Sequence, residues 1–430
     1  MSAPGLGLAP GGESSGEARR ITVLPFFYTA PVALLIAGAL LFRWGALALS
    51  TPWSSLTLAL THVVTLGFLT MTGLGVFYAL ASASGLEGMA RPRWAHAVYY
   101  FLVLGVAGLA WGTSHADSRP VFLSIGAVGV MAAIFVFRAA RALRRAEQDG
   151  PVLGGLRLAV WGFALATFLG IWLAHGHGGM RFPGLRSLWM QVHLSIALLG
   201  WLGAMLVTAS LIALPGDFGA APLGTRTGAA VMGLTRVGLF VPFVLLLYTY
   251  FGADTSLQAR IEPWAAGALV PAAAAIWLIH PVACLYSLRG VGPAPGLGYW
   301  RLGLMLAPLV FLVALSARAG SDPRLPMLFG WLAVFGWGAT LFSAVLVGTV
   351  PRLLGPGGRA AGPGLSSALV SRVGLGLHAG ALAAGLVGIL WVSDAWCRLA
   401  GALVFADAAW LMFGLTRLLL ESRPEPASPA

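Results

Sequence analysis

The sequence predicts an all-α integral membrane protein with about twelve transmembrane helices. Of its 430 residues, 58% are hydrophobic and only 9% are charged, a composition that excludes an ordinary soluble domain. Several apolar runs exceed the roughly 18 to 20 residues that a helix needs to cross a bilayer. The lipid bilayer is therefore the predicted partner of most of the protein surface.

Polar, Gly-rich and Pro-rich breaks divide the apolar runs into separate spans. The spans form one predicted membrane domain, 21–420, and two flanking tails, 1–20 and 421–430, are expected to be disordered. The predicted spans are approximately 24–42, 55–80, 95–112, 120–138, 157–175, 188–214, 228–252, 262–288, 299–317, 325–350, 369–392 and 395–420.

Arginine supplies all 26 basic residues, and its distribution predicts the orientation of the chain. If the N-terminus lies inside, most arginines fall in inner segments, with the densest group between Arg138 and Arg157, as the positive-inside rule requires. We therefore expect a bacterial cytoplasmic (inner) membrane protein with both termini in the cytoplasm. The arginines stand singly or in short groups between apolar runs, so the net charge of +12 does not indicate nucleic-acid binding.

A glycine followed by an aromatic residue recurs at Gly67, Gly200 and Gly336, at intervals of 133 and 136 residues. Each interval covers four predicted helices, so the pattern favours three four-helix pseudo-repeats in which the second, sixth and tenth helices are equivalent. Chance is the alternative explanation, since the chain contains 58 glycines and 16 tryptophans.

Two histidines precede these glycines inside predicted spans, His62 in the second and His193 in the sixth, whereas Phe329 occupies the third position. A histidine in hydrocarbon is a candidate functional residue, and imidazole is a common ligand of haem iron and copper. A third candidate is His378, whose small neighbours Gly376 and Gly380 would admit a flat ligand. Each histidine could instead form a structural hydrogen bond to a neighbouring helix.

A Gly-rich segment after the fifth span carries His175, His177 and Met180. Two imidazoles and a thioether are ligands that suit copper, although an ordinary turn with exposed histidines explains the same pattern. Asp407 is the one carboxylate well inside a predicted span. We expect it to pair with an arginine such as Arg236 rather than to move protons.

The His–Gly–Phe arrangement of the second span and the His–Gly–Trp arrangement of the sixth resemble the haem-copper oxidase subunit I superfamily. They are most similar to its non-oxidase twelve-helix relatives, including NnrS-type membrane proteins. The resemblance implies that His62 ligates a low-spin haem b and that His193 ligates copper. It also implies a role in nitric oxide response, or in redox or gas binding, with a redox or membrane-complex partner.

The chain departs from the oxidase pattern in its ligands. Residues 228–252 contain no histidine, and Phe329 replaces the histidine expected in the tenth span. The six-ligand set of a terminal oxidase cannot be assembled, so a terminal oxidase is excluded, while any other enzymatic activity stays open. The second axial ligand of a haem on His62 would then be His378 or His193.

Two other functions remain compatible with the sequence. The chain could be a membrane carrier or assembly factor for a metal, haem or a small substrate. It could also be a cofactor-free structural subunit that has kept the scaffold and lost the ligands.

Overall fold

The computed structural model describes residues 13–86, 89, 91–146, 150–175, 186–251, 255–351 and 365–421. Within these ranges the secondary structure is helical, without strands. Twelve helices are long and apolar enough to cross a membrane. The predicted multi-pass membrane protein with twelve spans is therefore confirmed at this level.

We number the spanning helices α1 to α12 in chain order. Their bounds are Arg19–Leu49, Ser55–Ala83, Pro92–Ser114, Ser118–Arg144, Pro151–His175, Arg186–Phe218, Thr225–Tyr248, Ala259–Ser287, Leu297–Ala319, Leu325–Thr349, Ala368–Leu390 and Asp394–Arg417. Each one overlaps the corresponding predicted span.

The N-terminal boundary differs from the prediction. Helical structure begins at Glu13, so residues 13–20 are not part of a disordered tail. This stretch is polar but lacks proline, and its Glu, Ala and Arg residues favour helix, so the apolar helix extends backwards without a break. At the other end helical structure reaches Glu421, and the remainder of the predicted C-terminal tail lies outside the described residues.

Three helices form the centre of the bundle. In the most apolar 18-residue stretches of α2, α6 and α10, 89%, 83% and 83% of residues are buried, whereas the other nine helices reach at most 61%. Each central helix contacts the other two. The outer helices contact one another in a closed ring, in the order α1, α3, α4, α5, α7, α8, α9, α11 and α12, with α12 returning to α1.

The outer ring carries the surface that faces lipid. Large apolar side chains are exposed on it, for example Leu123 (78%), Trp264 (76%) and Tyr248 (68%). In water so many exposed apolar side chains would drive association. In a bilayer they meet hydrocarbon, which explains why the outer helices are hydrophobic on their outward faces as well as their inward faces.

Each central helix changes from α- to π-helical geometry at its Gly-aromatic pair. The π segments are Val63–Thr70 in α2, Ile196–Gly203 in α6 and Trp331–Ala339 in α10. A π segment shifts the hydrogen bonds from i−4 to i−5 and often lies at a functional site. The side chains that follow a π segment therefore point in a different direction, relative to those that precede it, than they would in a continuous α-helix.

Glycines allow two pairs of helices to pack backbone against backbone. A Cβ atom on Gly162 of α5 would lie 2.3 Å from the carbonyl carbon of Gly200 in α6, and one on Gly401 of α12 would lie 2.3 Å from the backbone nitrogen of Phe42 in α1. Small residues permit this close approach in membrane bundles. The glycine of the second Gly-aromatic pair thus admits a neighbouring helix.

Candidate functional site

His62 and His193 occupy corresponding regions of two central helices. His62 is the last α-helical residue before the π segment of α2. His193 lies in the α-helical first part of α6, shortly before its π segment. Both side chains are half-buried.

The Nδ1 atom of each imidazole is fixed by a backbone carbonyl. His62 Nδ1 lies 2.8 Å from the carbonyl oxygen of Leu58, one turn earlier in the same helix. His193 Nδ1 lies 3.0 Å from the carbonyl oxygen of Ala166 in α5. A carbonyl oxygen only accepts, so Nδ1 must carry the proton, and the neutral ring then has its lone pair on Nε2. Within the described residues, no hydrogen bond engages Nε2 of either ring.

This tautomer is the one that metal-bound histidines adopt. A ligating imidazole usually donates its other N–H to a carbonyl or carboxylate, which fixes the ring and makes the ligand nitrogen more basic. His62 and His193 lie on the central helices α2 and α6, which contact each other. The structure therefore places two imidazoles with available Nε2 atoms on two contacting helices.

The two imidazoles donate their Nδ1–H to carbonyls on different helices. His62 lies five residues before its glycine and His193 seven, a difference that rotates the side chain by about 200° on an α-helix. His62 accordingly bonds to its own helix, whereas His193 crosses to α5. There its ring packs on Gly170, where an added Cβ would lie 3.1 Å from His193 Cε1.

His175, at the end of α5, has the same tautomer. Its Nδ1 lies 2.7 Å from the carbonyl oxygen of Ile171, and it lies five residues, about 7.5 Å along the helix axis, beyond Gly170. The other two predicted copper ligands, His177 and Met180, lie outside the described residues. Among the described side chains, no group of three His, Cys, Asp or Glu residues could hold a metal ion.

His378 differs from these histidines because both of its ring nitrogens are engaged. Nδ1 lies 2.7 Å from Oδ2 of Asp407 in α12, and Nε2 lies 2.8 Å from Oγ1 of Thr340 in α10. Its ring also stacks on Phe335 with centroids 4.5 Å apart. In this arrangement His378 has no free nitrogen for haem iron, so it does not fit the predicted role of second axial ligand.

The expected pairing of Asp407 with Arg236 is wrong. Asp407 pairs with His378, while Arg236 in α7 donates to the carbonyl oxygen of Gly154 at 3.3 Å. The cause is helix packing, since α12 contacts α1, α10 and α11, whereas α7 contacts α5, α6 and α8. The order of the helices in the ring separates the two charges.

A further buried group escaped the sequence analysis. His280 Nε2 lies 2.8 Å from Ser210 Oγ and 3.2 Å from Cys284 Sγ. The i, i+4 spacing of His280 and Cys284 places both on one face of α8, a signal that the sequence did contain. The serine comes from α6 and could be identified only from the fold.

Two imidazoles with free Nε2 atoms match the donor set of a haem with two axial histidines, or part of a copper site. They are too few for a closed structural zinc site, which needs four ligands. No protein-family model and no curated protein matches the chain.

Proposed function

We propose that the protein binds a redox-active group, haem b or copper, between His62 and His193. One observation carries the proposal: two contacting central helices, α2 and α6, each carry a half-buried histidine with Nδ1 fixed by a carbonyl and Nε2 free. His62 and His193 would be the protein ligands of the group.

The bound group would determine the activity. A haem with two histidine ligands transfers electrons, a haem with an open position binds diatomic gases such as nitric oxide, and copper bound by imidazole supports either redox chemistry or metal delivery. His62 and His193 would hold the group, while Leu58 and Ala166 orient their rings. The role would be nitric oxide response or redox and gas binding, with a redox or membrane-complex partner.

The wider architecture is part of the same proposal. The helices form three sets, α1–α4, α5–α8 and α9–α12, with the same contacts in each. The first helix of a set contacts the third, the third contacts the fourth, and the fourth contacts the first helix of the next set, with α12 returning to α1. Gly67, Gly200 and Gly336 each lie in a π segment, and two further π segments lie at Ala275–Ile279 and Val345–Thr349. These regularities support three pseudo-repeats and a relationship to the haem-copper oxidase subunit I superfamily and its NnrS-type relatives. A bacterial inner membrane with both termini cytoplasmic fits the arginine distribution.

The first test is a reduced-minus-oxidised absorption spectrum of the detergent-purified protein, with iron and copper measured on the same sample. If haem is bound, we expect a Soret band with stoichiometric iron, and a carbon monoxide shift would reveal an open iron position. If copper is bound, we expect stoichiometric copper without a Soret band. His62→Ala and His193→Ala should each abolish the signal.

His115→Ala is the matched control. Its Nδ1 also lies 3.0 Å from the carbonyl oxygen four residues earlier, that of Trp111, but the side chain is exposed and stacks on the indole at 4.1 Å. This variant should retain the full metal content. Absence of both metals from protein made in a haem- and copper-replete host would contradict the proposal, as would equal metal content in all variants.

A further inference from the structure

A second group of polar side chains lies at the junction of α10, α11 and α12, apart from the His62–His193 pair. Thr340, His378 and Asp407 are 0%, 0% and 2% exposed. They form a chain of hydrogen bonds from Asp407 Oδ2 to His378 Nδ1 (2.7 Å) and from His378 Nε2 to Thr340 Oγ1 (2.8 Å). Such polar groups are costly in the membrane interior and are candidate functional sites.

The hydroxyl of Thr340 determines the protonation of one ring nitrogen. Its Oγ1 lies 2.6 Å from the carbonyl oxygen of Gly336 and 3.3 Å from that of Phe335. Both carbonyls belong to the π segment that ends immediately before Thr340. Because a carbonyl only accepts, the hydroxyl proton is directed to Gly336, and a lone pair of Oγ1 faces His378. Nε2 of His378 must therefore carry a proton.

The contact between His378 Nδ1 and Asp407 Oδ2 then requires one more proton. Without it, the nitrogen lone pair would face an ionised carboxylate, and the group would carry a net negative charge in a buried site. With it, the pair is either imidazolium with carboxylate or imidazole with carboxylic acid, and it is neutral in both forms. The high cost of an uncompensated buried charge favours the neutral, proton-loaded pair.

The neighbouring helices supply no basic group to replace this proton. Residues 29–42 of α1 and 325–349 of α10 contain no titratable side chain. In α11, His378 is the one titratable side chain of residues 373–390, and in α12 Asp407 is the one titratable side chain of residues 399–416. From α9, the ring of Tyr299 meets His378 at 5.8 Å, and Arg301 donates instead to the carbonyl oxygens of Leu288 and Val291.

We propose that His378 and Asp407 form a proton-binding site inside the membrane domain that holds one proton in addition to the proton on Nε2. The proton binds between Nδ1 and Oδ2, and none passes beyond Thr340, because the hydroxyl donates to a carbonyl that cannot transfer a proton further. The pair therefore holds a proton and does not conduct it through Thr340. Release of this proton leaves a negative charge on the buried pair. Release must therefore be coupled to the entry of a cation beside the pair or to a movement of α12 that admits water.

The test counts the protons on the pair in the full-length protein in lipid nanodiscs. Nitrogen-15 NMR of labelled histidine reports each ring nitrogen, and infrared spectroscopy of ¹³C-labelled aspartate reports whether Asp407 is ionised. We expect one proton on Nε2 and one shared by Nδ1 and Oδ2. Signals are assigned with His378→Gln.

His280 provides an internal control because it is equally buried, at 3% exposure, but its partners are the Ser210 hydroxyl and the Cys284 thiol rather than a carboxylate. It should bear a single ring proton. In Asp407→Asn, His378 should also lose its second proton and become a neutral imidazole. A single ring proton on His378, on either nitrogen, beside an ionised Asp407 in the wild-type protein would overturn the proposal, and this measurement needs no variant.

Discussion

The protein uses histidine in two opposite ways in its membrane interior. At His62 and His193 one ring nitrogen is bonded to a backbone carbonyl and the other is free, whereas at His378 a carboxylate and a hydroxyl occupy both. The first arrangement leaves Nε2 available to a ligand. The second engages both ring nitrogens. The partners of an imidazole, rather than its burial alone, therefore indicate its function.

The largest expected loss of stability comes from breaking the buried pair of His378 and Asp407. Asp407→Ala leaves His378 Nδ1 without its hydrogen-bond partner in a buried site, and removal of one member of a buried ion pair typically costs about 3–5 kcal/mol. Detergent-solubilised protein should unfold at a clearly lower temperature or denaturant concentration. Asp407→Asn should lose less stability, because the side-chain amide can donate an N–H to the unprotonated Nδ1. Equal stability of the alanine variant and the wild type would contradict the pairing.

A smaller effect is expected from Gly162→Ala, which alters the ligand pair indirectly. The added Cβ would lie 2.3 Å from the Gly200 backbone, so α5 and α6 must separate, at a cost typical of overpacking, about 1–3 kcal/mol. Because α5 holds the ring of His193 through Ala166 and Gly170, cofactor content should fall although no ligand is changed. Gly126→Ala, where nothing lies within 4 Å of the added atom, should change neither stability nor cofactor content.

His62→Ala should cost little stability in the cofactor-free protein. It removes one hydrogen bond from a half-buried ring to its own helix, worth about 1 kcal/mol. The unfolding midpoint of the apo protein should therefore shift much less than in Asp407→Ala, while cofactor binding is lost. A destabilisation as large as that of Asp407→Ala would indicate that His62 is structural.

The smallest effect on stability is expected at the exposed ion pair of Asp322 and Arg324, which lies outside the predicted membrane spans. Hydrogen bonds from Arg324 lower the pKa of Asp322 to about 2 from its ordinary value of 3.8, so this pair stabilises the folded state above pH 3.8, and the contribution disappears as the pH falls through about 2. Solvent screens such a pair. The pH at which Asp322→Asn unfolds in acid should therefore differ only slightly from that of the wild type. A large difference would contradict the expectation that solvent screens this pair.

Much of the fold follows from the sequence, but little of the site geometry does. The twelve spans could be predicted because a bilayer imposes both a length and an apolar composition on each helix. The two intramembrane histidines were identifiable for the same reason, since polar residues are conspicuous in an apolar span. The helical start at Glu13 could not be placed, because the polar residues before an apolar run are compatible with either a tail or a helix.

The sequence by itself determined the class of the protein, the number of its membrane helices and the positions of its candidate histidines. Only the tertiary structure decided the partner of each one. His193 bonds to Ala166, 27 residues away, and His378 to Asp407, 29 residues away, while Asp407 and Arg236 lie on helices that do not pack together. The physical reason is that hydrophobicity along the chain reports burial in lipid or protein. It does not report which helices become neighbours, nor how a π segment rotates one helix face towards another.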